Sequence, residues 1–161
     1  SEAKLTNADL SGADLSGADL SYVNLSEVKI SYKTKFDSAR FWRANLSGVD
    51  LSKFYLTGVD LSGSYIKDAN LSEAVLSNVD FTSAELKNVN LSGADLRGAN
   101  LEGASFSKGT NLEGANLLGA NFQDSRFSED VNLKDAIFRE DDWINSDTHD
   151  VFYYEERKRR N

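Results

Sequence analysis

From Val89 to Gly103 the chain repeats one order of residues three times: Val89-Asn90-Leu91-Ser92-Gly93, Ala94-Asp95-Leu96-Arg97-Gly98, Ala99-Asn100-Leu101-Glu102-Gly103. A small residue is followed by Asp or Asn, then a Leu (the centre of the quintet), a polar residue and often Gly. The same order runs from about Ala3 to Phe138. On an extended strand the small residue, two positions before its centre, points to the same side as the centre. The next small residue follows the centre by three, and on a straight strand it would face the other way. Burying both kinds together requires a turn between them, and the polar-Gly pair supplies it because Gly tolerates positive φ. A corner in every quintet makes a coil with short flat faces, and such coils stack through backbone hydrogen bonds about 4.8 Å apart. A helix would need apolar steps of three and four, and an open sheet would need longer strict alternation. Asp, Asn and Ser also compete with helical hydrogen bonds. The period therefore predicts a solenoid.

The quintets ADLSG (13–17), ADLRG (94–98) and ANLEG (99–103) match almost verbatim the consensus A-(D/N)-L-x-x of the pentapeptide-repeat family, which the chain resembles over about residues 3–143. That resemblance implies an all-β, right-handed quadrilateral β-helix with four quintets to the coil. Centres run Leu5, Leu10, Leu15, Leu20, Leu25 and Ile30, slip by one residue around Ser31–Thr34, then hold register from Phe36 to Phe106. Further insertions near Lys108-Gly109 and Asp130 move the centres to Leu112 and Leu133. With four quintets per coil these last two share a corner, as stacked bulges do. About seven coils result, a rod roughly 30 Å long.

On this register one interior column reads Leu20, Phe41, Leu61, Phe81, Leu101, Phe122, Trp143, an alternation of sizes that fills a narrow shaft. Phe54 stands in a slot held elsewhere by Ala or Val, with Thr34, Ser64, Thr110 and Ser125 as the other exceptions, so a local widening is expected there. Of the outward columns, Arg40 and Lys29 sit between carboxylates one coil away and read first as local neutralisers. Tyr55 and Val75 break the polar rule on an outer face. With Leu118 on that face, and with Tyr65 in the fourth column and Trp42 among the outward aromatics, they are the candidate interaction residues. The stretch from Tyr22 to Tyr55 interleaves aromatics with six bases, which allows base stacking, but corner aromatics also cover coil edges.

Residues 1–143 are thus expected to form the β-helix and 144–161 a capping α-helix over its open end, N-capped at Ser146 or Asp147 and apolar through Phe152 and Tyr153. In the resembled family such helices also dimerise, so a homodimer through this segment is the second expectation for it. The basic ending RKRRN leaves room for a longer protein, as does the absence of Met at residue 1.

The formal net charge of −8 disfavours nucleic acid and anionic membrane as partners. No run of about 18 apolar residues is present, so no membrane span is expected. The lack of Cys leaves the compartment open, with a soluble chain and the cytoplasm as the expectation. His149 is the only histidine, the serines lie at corners without a base, and the acid columns lack the Gly and ligand spacing of calcium loops. No catalytic, cofactor or metal site is expected. The expected function is a non-enzymatic scaffold for an unidentified protein partner. The alternative implied by the resemblance is a DNA mimic that modulates a type II topoisomerase, suggested by the acids between Asp124 and Asp142.

Overall fold

The corners decide the architecture. In a computed structural model that describes residue 5 and residues 7–139, the N–H of nearly every small residue donates to the carbonyl of the centre three positions earlier, as from Ala13 to Leu10 and from Ala99 to Leu96, both at 3.0 Å. The third residue of nearly every such turn is left-handed. It is Gly at eleven positions, but Arg43, Lys53 and Glu73 hold the same conformation at φ 53°, 63° and 57°. The corner therefore does not depend on Gly. Part of what stabilises it is the Asp or Asn before each centre. Its Oδ1 accepts the N–H two residues on, as in Asn70 with Ser72 (3.1 Å) and Asp60 with Ser62 (2.9 Å). This local cap explains why the sequence prefers Asp or Asn there.

Successive coils pair in parallel. Asp60 bridges Asp80 and Asp80 bridges Asn100, partners 20 residues apart, while Asp19 bridges Arg40 and Asn100 bridges Asn121 with one inserted residue between. Partners four quintets apart define four faces. We name them by their columns: A (Asp9, Lys29, Asp50, Asn70, Asn90, Asn111, Asn132), B (Asp14, Lys35, Tyr55, Val75, Asp95, Asn116, Ile137), C (Asp19, Arg40, Asp60, Asp80, Asn100, Asn121) and D (Asn24, Asn45, Tyr65, Glu85, Ser105, Arg126). On face D the pairing spreads into true strands, β1 (Tyr65–Lys67), β2 (Glu85–Lys87), β3 (Ser105–Ser107) and β4 (Arg126–Phe127), in one parallel sheet of that order.

The shaft is filled as the periodicity requires. Phe41, Leu61, Phe81, Leu101 and Phe122 follow one another up the column behind face C, all buried. Hydroxyls in small slots find backbone acceptors: Ser64 donates to Leu61 (2.6 Å), and Ser125 to Phe122 (2.7 Å). At two inserted corners a threonine does the same across coils, Thr34 donating to the Leu10 carbonyl (2.9 Å) and Thr110 to that of Leu86 (2.8 Å). The insertions at 107–110 and 128–131 do lie at one corner, between faces D and A, in register.

The widening expected at Phe54 is present and extends well beyond one side chain. Phe54 lies in register above Thr34 and stacks on Phe36, ring centroids 6.1 Å apart. Around it the ladder opens. Among the described residues no bridge joins Lys29 to Asp50 or Lys35 to Tyr55, and the amides of Ile30, Phe36, Asp50 and Tyr55 make none of the inter-coil bonds made by their equivalents elsewhere. Faces C and D stay closed beside this breach, though the bond from Asp60 to Ala39 stretches to 3.4 Å. Two causes converge. A benzyl ring occupies an Ala-sized slot, and the corners at Glu27 and Lys33 lack the left-handed residue that every corner from Ser38 to Gly103 has. Val28 and Ile30 are half-buried, like Ala8 and Leu10 below them in the first coil, whereas Val49 and Leu51 above them are buried. A void of about 10 Å³ remains between the coils, lined by Val28, Ile30, Phe36 and Val49 among others, about the least volume that could hold one water.

Trp143, His149 and the cap expected over 144–161, with Phe152 and Tyr153, lie outside the described residues.

Candidate interaction surfaces

The four faces differ in chemistry. Face A carries a continuous amide ladder, in which Asn70 Nδ2 donates to Asp50 (3.1 Å), Asn90 to Asn70 (3.2 Å), Asn111 to Asn90 (3.5 Å) and Asn132 to Asn111 (2.8 Å). Each amide there is engaged with its neighbour, and each of these oxygens also holds its own corner. The face is neutral from Asn70 upward and largely self-satisfied.

Charges on the first coils pair vertically. Arg40 meets Asp19 at 2.9 Å and Lys35 meets Asp14 at 3.4 Å, so the neutralising role read for Arg40 is realised toward the coil below. Lys29 makes no ion pair among the described residues, though its charge acts on Asp9. The carboxyls of Asp9, Asp14 and Asp19 are held below their ordinary range, first by the hydroxyls of Ser11, Ser16 and Ser21 and then by the backbone N–H groups of the same serines. Asp95 is lowered mainly by hydrogen bonds from the Arg97 guanidinium, which grips it through two nitrogens at 2.7 and 2.6 Å.

The candidate residues divide among several surfaces. Tyr55 and Val75 bridge directly on face B, Tyr55 being 77% exposed and Val75 half-buried. Leu118 stands at the edge of the same face two coils beyond Val75, with Asp95 and Asn116 in the column between. Trp42 is on the corner between faces C and D, edge-on to Tyr22 (centroids 4.8 Å) and covered by Arg43 (5.2 Å), which fits the role of closing a coil corner. Tyr65 is on face D, opposite Tyr55. The grouping of all five does not occur; Tyr55 with Val75 is the contiguous pair. Sequence reasoning misses the surroundings of Tyr65, where Lys67, Glu85 and Lys87 join Asn45 and Ser47 around a shallow groove of about 360 Å³. The signal is there to find, since Lys67 and Lys87 are 20 residues apart and pair in register. It misses Ile137 too, 51% exposed at the end of face B.

Among the described residues no cluster of His, Cys, Asp or Glu is arranged to hold a metal ion, and no helix is long and apolar enough to cross a membrane. Carboxylates are distributed over the outside of the shaft, and the four buried hydroxyls, of Thr34, Ser64, Thr110 and Ser125, are bonded to backbone carbonyls.

Comparison with known proteins places these features in a family context. The family model for pentapeptide repeats matches in eight copies, over residues 1–31, 33–63, 55–93, 64–103 and 84–140. No curated protein sequence matches the chain. Among solved structures, the chain is similar to the pentapeptide repeat protein Rfr23 from the cyanobacterium Cyanothece 51142, at 29% identity over 86% of this chain and 89% of that one, with a TM-score of 0.30. It is also similar to AT2G44920, a pentapeptide repeat protein of the Arabidopsis thaliana thylakoid lumen, at 31% identity over 76% and 70% with a TM-score of 0.26. QnrB1, a plasmid-mediated fluoroquinolone resistance protein, aligns at 22% identity over 84% and 79% with a TM-score of 0.39.

Proposed function

Since the chain belongs to the pentapeptide-repeat family, we propose that it works without catalysis, as a rigid scaffold whose flat faces dock a protein partner. Residues 1–143 form the β-helix of about seven coils and residues 144–161 its helical cap in this reading. The observation that carries it is the contrast between faces. Face A closes upon itself through its amide ladder, whereas face B offers Tyr55 and Val75 side by side with no side-chain hydrogen bond or ring partner among the described residues. A flat surface with an exposed aromatic and an adjacent aliphatic suits a protein contact. The cap, through Phe152 and Tyr153, would be free to pair with a second copy.

Photo-crosslinking tests the scaffold reading. A benzoylphenylalanine at position 55 or 75 should give a discrete adduct in extract of the source cells, and one at position 70 or 90 should not. Equal labelling from both faces, or none from either, contradicts it. The alternative, mimicry of DNA toward a type II topoisomerase, asks for a continuous acidic stripe. The columns interrupt one, for face A is neutral above Asp50 and face C changes from Asp60 and Asp80 to Asn100 and Asn121. A supercoiling assay with gyrase discriminates, because the scaffold reading expects no inhibition at micromolar protein.

A further inference from the structure

The breach between the coils is the place where this rod departs most from its own rules, and three independent features meet there. The first is backbone chemistry. The lower lip (27–38) and the upper lip (47–57) face each other with inter-coil bonds missing at Ile30, Phe36, Asp50 and Tyr55, so their peptide donors stand without ladder partners. Elsewhere between the first and last complete coils such groups are bonded, which is the rule for peptide groups in folded chains. The second is an apolar floor, since Val28 and Ile30 line the void and are only half-buried. The third is charge. The lower lip carries Lys29, Lys33 and Lys35 in its middle, with the acids Glu27 and Asp37 at its two ends, and Lys53 stands on the upper lip beside the single acid Asp50. Lys35 and Lys53 are tied to Asp14 and Glu73 at 3.4 and 3.6 Å. Lys29 and Lys33 make no ion pair among the described residues, and Lys33 lies 5.9 Å from the ring of Tyr32. Tyr32 and Tyr55, 76% and 77% exposed, flank the opening.

We propose that this breach is a docking site for an extended acidic segment of a partner protein. The inference rests on the scaffold reading and adds where the partner binds and of what chemistry it is. The segment lies along the lips with its carboxylates on Lys29 and Lys33, an apolar side chain over Val28 and Ile30, and its backbone against the unpaired peptide groups, as in strand addition to an open edge. The run of three lysines without an acid from Val28 to Phe36, on a chain of net charge −8, selects for an acidic element short enough to stay between Glu27 and Asp37. A nucleic acid strand running past the lips would meet the acids on the neighbouring faces, and its phosphates make no use of an apolar floor or of free peptide acceptors.

The probe is a fluorescein-labelled decapeptide rich in glutamate with valines at its centre, titrated with the full chain and followed by anisotropy. Saturable binding is expected, weakened roughly fivefold to tenfold in the Lys29→Gln/Lys33→Gln variant, as two exposed ion pairs warrant. The Lys87→Gln/Lys108→Gln variant, altered at another corner, should bind as the unmodified chain does. Amide exchange at Ile30, Phe36, Asp50 and Tyr55 should slow on binding. Because the substituted lysines are exposed, unchanged melting temperatures are expected and confirm that folding is intact. Absence of binding, equal weakening in both variants, or tighter binding of a single-stranded oligonucleotide that is lost in Lys29→Gln/Lys33→Gln would each overturn the proposal. None of these outcomes bears on crosslinking from positions 55 and 75 in cell extract, so the scaffold reading stands or falls separately.

Discussion

At the scale of single residues, the corner is a balance between backbone strain and local capping. A non-Gly residue held left-handed costs roughly 1–2 kcal/mol, part of which Gly would give back as extra entropy in the unfolded chain. Ser38, left-handed at φ 56° in an exposed corner, should therefore gain up to about 1 kcal/mol as Ser38→Gly. Gly109 is the reverse case. At φ 84° its missing Cβ would lie 2.5 Å from Asn88 Oδ1, and Asn88 cannot swing away without breaking its 2.8 Å bond to Asp68. Gly109→Ala should cost about 2 kcal/mol or more, from backbone strain and the lost bond together; chemical denaturation of the two variants checks both signs. The acidic caps make a pH prediction. Asp9, Asp14 and Asp19 titrate lower in the folded chain than unfolded, so the stability they contribute is complete above the ordinary carboxylate range near pH 4 and falls as pH drops through their folded values. Melting temperature should thus be level from neutrality to about pH 5 and decline below it. Replacing all three by Asn should flatten that decline.

At the scale of elements, the quintet period specifies most of the coil. The positions of the centres, the shared corner of the later insertions and the Leu-Phe alternation from Phe41 to Phe122 all follow from spacing alone. The left-handed corners at Lys53 and Glu73 do not, because there the capping geometry of a neighbouring Asp or a coil-to-coil contact replaces Gly, and a residue type does not announce that. The single bulky Phe54 and the inserted residue at Ser31–Thr34 are each legible, and Phe54 by itself predicts a widening. The reach of that widening across faces A and B is not legible, since it needs both faults in register. Trp42 shows another limit. As an aromatic among polar residues it suggests a contact surface, and it is 41% exposed, but its ring also packs against Tyr22 and Arg43 on a corner, an arrangement that depends on rotamers. The breach makes its own prediction. Hydrogen exchange of the Ile30, Phe36, Asp50 and Tyr55 amides should be much faster than that of Leu76, Asn90 and Leu96, which are bonded coil to coil. Uniform protection along the rod would mean the ladder is closed.

At the scale of the whole molecule, stability grows by stacking, each coil burying its centres against the next, so the rod is a sum of neighbour contacts rather than a globule around one core. Such a body offers long regular faces and no enclosed pocket of ligand size among the described residues, which is why its function is sought on surfaces. Those surfaces exist only if residues four quintets apart lie directly over one another. The chain has no cysteine, so engineered pairs report this cleanly. Asn70→Cys with Asn90→Cys places two thiols on adjacent rungs of face A, within the roughly 4.4–6.8 Å between Cα atoms that a disulfide spans. Asn70→Cys with Glu85→Cys places them on different faces. Mild oxidation should close the first pair within the monomer and leave the second pair reduced. Closure of the second pair, or of both alike, would contradict a coil of four quintets.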